Sequence, residues 1–274
     1  VTQTVFLSVA VFQLLQIAQE RLRGAWRWVG IVLVLLDPFL WNVTTYEFHG
    51  LALVVPIILA AILAYERRQL GRWVFFLILI AFWREDLPLL VAGWAILSRF
   101  DRRTRGWIIT PIIIASIGLF IDYTLIAKAG ASHYKFLIFY QALGSNWLEL
   151  LTSPFRHPVI FLATFFHPNN WGTVAGVLGS VGGLCLLRPR LLLPLSLVGI
   201  QMLLLHADPR SMLRLHYMAT LLPFVVFAAL RGLEDVPAHL ASLQERWKRI
   251  PMELYIVTSG SIFALTVAIA SPIA

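Results

Sequence analysis

The sequence predicts an all-α fold, a polytopic bundle of membrane helices, and three observations carry that prediction. Hydrophobic residues make up 59% of the 274 and charged residues only 13%, against about 25% charged in soluble globular chains, and the mean hydropathy is +0.80. Apolar runs close to the length a helix needs to cross a bilayer core recur along the chain, roughly 20 residues or fewer where a helix is tilted or broken. Basic residues sit in short clusters between those runs, which is the pattern the positive-inside rule produces.

The same composition excludes several classes. No soluble fold could hide so much apolar side chain. Tracts of a single sign that would make a nucleic-acid arm are absent, so the net charge of +8 reports topology and contact with anionic membrane lipid, and no nucleic-acid partner is expected. Cys185 is the only cysteine, which excludes an intramolecular disulfide, a thiolate-rich metal site and a CxxC redox motif. The chain opens on Val1 with no basic segment ahead of its first apolar stretch. A cleavable signal peptide is therefore not expected, and a non-Met start codon or a trimmed N-terminus is.

Apolar runs fall at 4–19, 28–43, 50–64, 107–127, 171–187, 191–206, 215–230 and 254–270. Residues 73–98 differ, because Arg84, Glu85 and Asp86 lie at the centre of an otherwise apolar stretch, where each charge facing lipid would cost about 2.5 to 3.5 kcal/mol. The basic clusters decide how this segment runs. Placing Arg21/Arg23/Arg27, Arg67/Arg68/Arg72, Arg99/Arg102/Arg103/Arg105, Arg188/Arg190 and Arg231/Arg246/Lys248/Arg249 inside gives sixteen of the 22 cations to the cytoplasmic face. Arg72 and Arg99 are then on one side, so 73–98 must enter and return as a helical hairpin with Arg84-Glu85-Asp86-Leu87-Pro88 at its turn. Arms of about 13 residues reach only about 20 Å, which leaves the charged tip at membrane depth, where it needs protein or water around it.

The other runs alternate across the bilayer to an outer C-terminus. Residues 128–170 form a long outer segment with Tyr134, Phe136, Phe139, Tyr140 and Trp147, then Pro154, Pro158 and Pro168. They read as an aromatic interfacial helix followed by a shallow re-entrant stretch. Pro237, Leu240, Leu243, Trp247 and Ile250 mark a cytoplasmic amphipathic helix over 233–250. No internal repeat is visible, which weakens a transporter built from repeated halves. The reading is one multi-pass membrane domain over 1–274.

Six of the seven histidines fall on the outer side in this topology. Glu47 and His49 open the helix at 50–64 and suit a base or a ligand, or equally a helix-capping turn. Arg210 and Arg214, then His216 and Tyr217, form an outer turn in which two guanidiniums converge on one anion, or a belt of residues at headgroup level. Arg84, Glu85 and Asp86 are a candidate site or a local ion pair and helix cap. No HExxH is present and the histidines are scattered singly, so no metal site is expected. Gly176, Gly179, Gly182 and Gly183 read as small residues that let helices pack closely along one apolar helix.

Phe48-His49-Gly50 opening a helix, Glu66-Arg67-Arg68 closing it, Arg84-Glu85-Asp86 in the hairpin and His216-Tyr217 before Pro223-Phe224 together resemble the predicted membrane proteins of the domain-of-unknown-function 2079 family, over about residues 30 to 232. That family resembles in turn the GT-C glycosyltransferases, which use polyprenyl-phosphate sugars at the outer membrane face. The resemblance implies a GT-C-like bundle in which Glu85 or Asp86, or else Glu47, is the catalytic base. Arg210 and Arg214 would then stabilise the departing phosphate, with Arg84, His49, His216 and Tyr217 assisting in substrate binding. The front part of the GT-C pattern, with its carboxylate in the first outer loop, is absent, which implies a shortened and catalytically silent member as the other outcome. The alternative function is a non-catalytic subunit of a larger membrane complex, contacting other membrane subunits, lipid, pigment or haem. The sequence names no cofactor.

Overall fold

The structure is a computed structural model that describes residues 2–45, 50–128, 140–145, 147–205 and 216–239. Every regular element among the described residues is helical. The expected cytoplasmic helix beyond residue 239 and the apolar run at 254–270 lie outside the described residues. Among the described residues, two stretches are long and apolar enough to cross a membrane, Ala25–Thr45 and Arg105–Leu125. The chain divides into two compact units, whose described residues come from 2–68, 175–192 and 216–239 in the first and from 69–174 and 193–205 in the second.

The first unit is built on α1 (Thr2–Arg21), α2 (Ala25–Leu35), α3 (Pro38–Thr45) and α4 (Leu51–Glu66). Helix α4 is apolar on all faces and nearly every residue from Leu51 to Tyr65 is buried, as such a helix must be unless lipid surrounds it. Chain order places α12 (Leu222–Leu233) later in the sequence, and it too is buried along its length. Helices α1, α4 and α12 run parallel, because their C-terminal ends meet in one ion network. Glu66 takes Arg21 at 3.3 Å and Arg231 at 3.4 Å, and Arg231 also holds Glu234 at 2.7 Å. Arg188 adds a two-bond pair with Asp235, one of its contacts at 2.6 Å. At the opposite end the Gln3 amide donates to the Val43 carbonyl at 2.7 Å, and the 3-10 turn His216–Thr220 packs on α3 and α4.

The run at 28–43, expected as one helix, breaks at Asp37. One oxygen of the Asp37 carboxylate accepts the N–H groups of Phe39 at 3.0 Å and Leu40 at 2.9 Å, and Pro38 fills the first helical position, so the sequence carries its own stop and restart signal. Asn42, in the glycosylation-like Asn42-Val43-Thr44, is buried in α3.

The second unit begins with α5 (Leu70–Ala81) and α6 (Leu87–Phe100) joined by residues 82–86, the helical hairpin read from the basic clusters. Its two arms are antiparallel: Trp73, near the start of α5, stacks edge-on against Trp94 of α6 with centroids 5.8 Å apart. Trp107 on α7 (Arg105–Lys128) closes the triad at 4.7 Å from Trp73. Helix α7 lies along α6 and α5. Gly118 of α7 is level with the hairpin turn, since a methyl group there would stand 3.1 Å from Pro88 and 3.5 Å from the Ala81 carbonyl.

Three short helices follow, α8 (Trp147–Arg156), α9 (Pro158–Phe165) and α10 (Pro168–Gly179), each of the last two opening on a proline. Apolar side chains of α8 and α9 point outward, with Phe155 87% and Val159 78% exposed, as suits an interfacial segment in contact with lipid. The Asn170 amide ties α10 to its neighbours within this unit, donating to the carbonyls of Thr164 at 2.8 Å and Leu203 at 2.5 Å; Leu203 belongs to α11 (Ser196–Leu204).

The glycine stripe read for 176–183 needs correction. Helix α10 stops at Gly179, and Gly182 and Gly183 take φ values of 60° and 70°. These two glycines make a left-handed turn instead of packing a helix face, and the 3-10 turns Leu184–Leu187 and Pro189–Leu195 follow. Close approach is supplied elsewhere: a Cβ at Gly93 would run into the Pro194 carbonyl, and one at Gly232 into the Leu184 carbonyl.

Two consequences are measurable. Gly93→Ala should lower stability by about 1 to 3 kcal/mol, because it presses a methyl group on fixed backbone. Gly71→Ala, with open space around it, should not lower it. Equal thermal midpoints for both variants in detergent would refute the packing argument. The Arg188 guanidinium beside Asp235 holds that carboxyl below its usual value of 3.8. The pair's contribution is therefore complete above the unfolded value and is lost as pH falls through the lower folded value. Unfolding at graded acid pH should show this limb in the parent chain and a flatter one in Asp235→Asn.

Candidate functional site at the hairpin turn

The hairpin turn is held first by its backbone. The N–H of Leu87 bonds the Arg84 carbonyl at 3.0 Å and that of Leu89 bonds the Asp86 carbonyl at 3.2 Å. Asp86 occupies the N-cap of α6 but makes no side-chain cap bond. Its carboxylate turns to Arg84 instead, with Nε to Oδ1 at 2.5 Å and Nη2 to Oδ2 closing a bidentate pair. The two side chains are 26% and 16% exposed. The ion pair foreseen for this turn is present, whereas the side-chain cap is not.

Two further elements bring polar groups to the turn. Asp122, one helical turn beyond Gly118 on α7, lies within electrostatic range of Glu85 and Asp86. Its Oδ2 is buried without a hydrogen-bond partner. Tyr140 is 5% exposed, bonds the side chain of Gln201 on α11 and feels the charge of Asp86. Burial pushes its phenol up to about 12, so at neutral pH it stays a neutral hydroxyl able to donate. Counting Arg84 against Glu85, Asp86 and Asp122, the cluster carries more negative than positive charge.

Depth follows from helix geometry. The turn is level with Gly118, yet α7 continues to Lys128, a further 15 Å or so at about 1.5 Å per residue. The charged tip therefore stops short of the end of the longest apolar helix in its own unit, as the arm lengths require.

Among the other expected site residues, Glu47, His49, Arg210 and Arg214 lie outside the described residues, as do the side chains of His216 and Tyr217. The backbone of His216 and Tyr217 sits in the turn packed on α3 and α4. Since α4 and α12 are parallel, that turn lies toward the N-terminal end of α4, the end that follows His49. Arg84, Glu85 and Asp86 thus gather with Asp122, Tyr140 and Gln201 in the second unit. Asp122 had a signal in the sequence, a lone carboxylate inside an apolar run; Tyr140 and Gln201 had none.

Asp37, one of the carboxylates expected on the outer side, is 1% exposed; its Oδ1 caps α3 and the Ser180 side chain is a further hydrogen-bond partner of the carboxylate. Among the described residues, no three His, Cys, Asp or Glu side chains come together as a metal site would need.

No curated protein and no solved structure matches this chain. The family model described as "Predicted membrane protein (DUF2079)" matches residues 1–270, a wider span than the motifs at 48–50, 66–68, 84–86 and 216–217 cover. An apolar chain whose described elements are all helical, matched over residues 1–270 in this way, belongs to the DUF2079 family of predicted membrane proteins.

Proposed function

We propose that this chain is a multi-pass protein of a prokaryotic cytoplasmic membrane that transfers a sugar from a polyprenyl phosphate at the extracytoplasmic face, as a GT-C-like glycosyltransferase. The observation that supports the reading is the acidic cluster at the hairpin turn, which the short arms would leave at membrane depth. Carboxylates placed there at such cost are functional by default. An acceptor hydroxyl would lose its proton to a carboxylate and attack the anomeric carbon, while the polyprenyl phosphate departs with the electron pair of the cleaved bond.

The local geometry divides the labour within the turn. Glu85 is the proposed base, with Asp86 as the alternative, and the bidentate Arg84–Asp86 pair frames the turn that carries both. Asp122 is a further acceptor facing the same turn. Glu47 remains the less favoured base, and Arg210, Arg214, His49, His216 and Tyr217 remain the proposed contacts to the donor phosphate and sugar. The ion network at Glu66 supports the orientation, because Arg21, Arg188 and Arg231 come from three of the basic clusters assigned to the cytoplasm and meet at one end of the first unit.

Sidedness is testable directly. In a Cys185→Ser background, single cysteines replacing Arg67 and Arg105 should both react with an impermeant maleimide only from the cytoplasmic side. Labelling from opposite sides would remove the hairpin topology. For activity, purified protein with a polyprenyl-phosphate sugar should release polyprenyl phosphate, and Glu85→Gln should abolish that release with the thermal midpoint kept. Arg214→Ala should weaken donor binding. Full turnover by Glu85→Gln would dismiss Glu85 as the base, and a folded parent chain that never turns over but copurifies with stoichiometric membrane proteins would favour the accessory-subunit reading.

A further inference from the structure

The end of the second unit opposite the charged tip is strongly basic. Arg72 opens α5, Arg99 closes α6, Arg102 and Arg103 form the following turn and Arg105 opens α7. Asp101 is the single carboxylate beside these five arginines. Arg72, Arg99, Arg102 and Arg105 are exposed, whereas Arg103 lies over the Trp107 ring at 5.1 Å.

Local chemistry opposes three of these placements. Arg102 has φ 53°, at the position after a helix where glycine is ordinarily found. The α6 terminus is closed there by Arg102 N–H to the Arg99 carbonyl at 3.2 Å and Arg103 N–H to the Ser98 carbonyl at 2.9 Å, a pattern that asks for a left-handed residue and suits glycine best. Arg72 and Arg105 sit in the first turns of α5 and α7, where the positive end of the helix dipole disfavours a cation. Arg99, in the last turn of α6, and Arg102, just past its end, are placed where the dipole favours a cation. Arg102 is opposed by backbone geometry and Arg72 and Arg105 by helix dipoles, so local helix stability does not account for these three placements.

What lies under them indicates the partner. The buried Trp73, Trp94 and Trp107 triad is packed directly beneath this end, and Phe100 and Phe75 are 63% and 57% exposed alongside. Exposed guanidiniums flanked by the exposed Phe100 and Phe75 match a leaflet with phosphate outermost and acyl chains below, while the buried tryptophans hold the three helix ends together. We propose that this end of the second unit is a binding surface for anionic phospholipid, with headgroup phosphates held by Arg72, Arg99, Arg102 and Arg105. The proposal rests on the membrane family and the hairpin, not on sugar transfer.

The test uses the full chain in neutral detergent, to which phosphatidylglycerol or phosphatidylcholine is added in mixed micelles. Thermal midpoint and retained lipid by native mass spectrometry are the readouts. Phosphatidylglycerol should raise the midpoint and stay bound, phosphatidylcholine should not, and high salt should shrink the gain. Each arginine removed should weaken retention about fivefold. Arg102→Gly is the discriminating variant: its midpoint without anionic lipid should hold or rise, because glycine suits the left-handed turn, while the gain from phosphatidylglycerol falls. Arg105→Gln should lose the same gain. Equal effects of the two lipids, a gain that survives both variants, a gain indifferent to salt in the parent chain, or the same gain from inorganic phosphate alone would each overturn the proposal.

Discussion

A charge taken into an apolar environment must find its counter-charge within the protein, since lipid supplies neither partner nor water. That constraint organises both units. In the first, Glu66 accepts Arg21 and Arg231 from two other helices, so one carboxylate sets α1, α4 and α12 parallel and in register at their C-terminal ends. In the second, Asp86 forgoes capping α6 and closes on Arg84. The bidentate pair leaves a turn whose remaining carboxylate, Glu85, shares its surroundings with Asp122. The first arrangement joins three helix ends; the second fixes the hairpin turn.

Helix association within a bilayer gains little from the hydrophobic effect, because lipid tails are as apolar as leucine. Contact quality takes its place. Gly93 against the Pro194 carbonyl and Gly232 against the Leu184 carbonyl are positions where backbone comes close and any side chain would intervene, and Gly118 stands in tight contact with the Pro88 ring. The buried amides of Gln3 and Asn170 add directional ties to main-chain carbonyls that helix ends leave over. Short broken helices are the cost of this design: α3, α9 and α10 each restart on a proline, and the freed backbone groups are met by Asp37 or by neighbouring turns.

Helical class, the apolar runs, the basic clusters and the hairpin were legible in the sequence because each depends on composition and spacing along the chain. A run of apolar residues is helical wherever it sits in hydrocarbon, and Arg84-Glu85-Asp86 between two short arms with arginines at both bases leaves one plausible path. The break at Asp37 was legible too, had the Asp37-Pro38 pair been weighed as an N-cap and first-turn proline.

Other features were decided only by tertiary structure. Nothing along the chain distinguishes Gly93, which packs on Pro194, from Gly182 and Gly183, which turn; the difference is what stands opposite the missing Cβ and the sign of φ. Tyr140 and Gln201 reach the hairpin turn from distant segments, and Asp86 pairs with Arg84 in preference to its own helix. The sequence by itself determined which residues could not rest in lipid, because transfer cost belongs to each side chain. Which partner relieves each of them was settled by folding, since proximity between residues far apart in the chain is a property of packing.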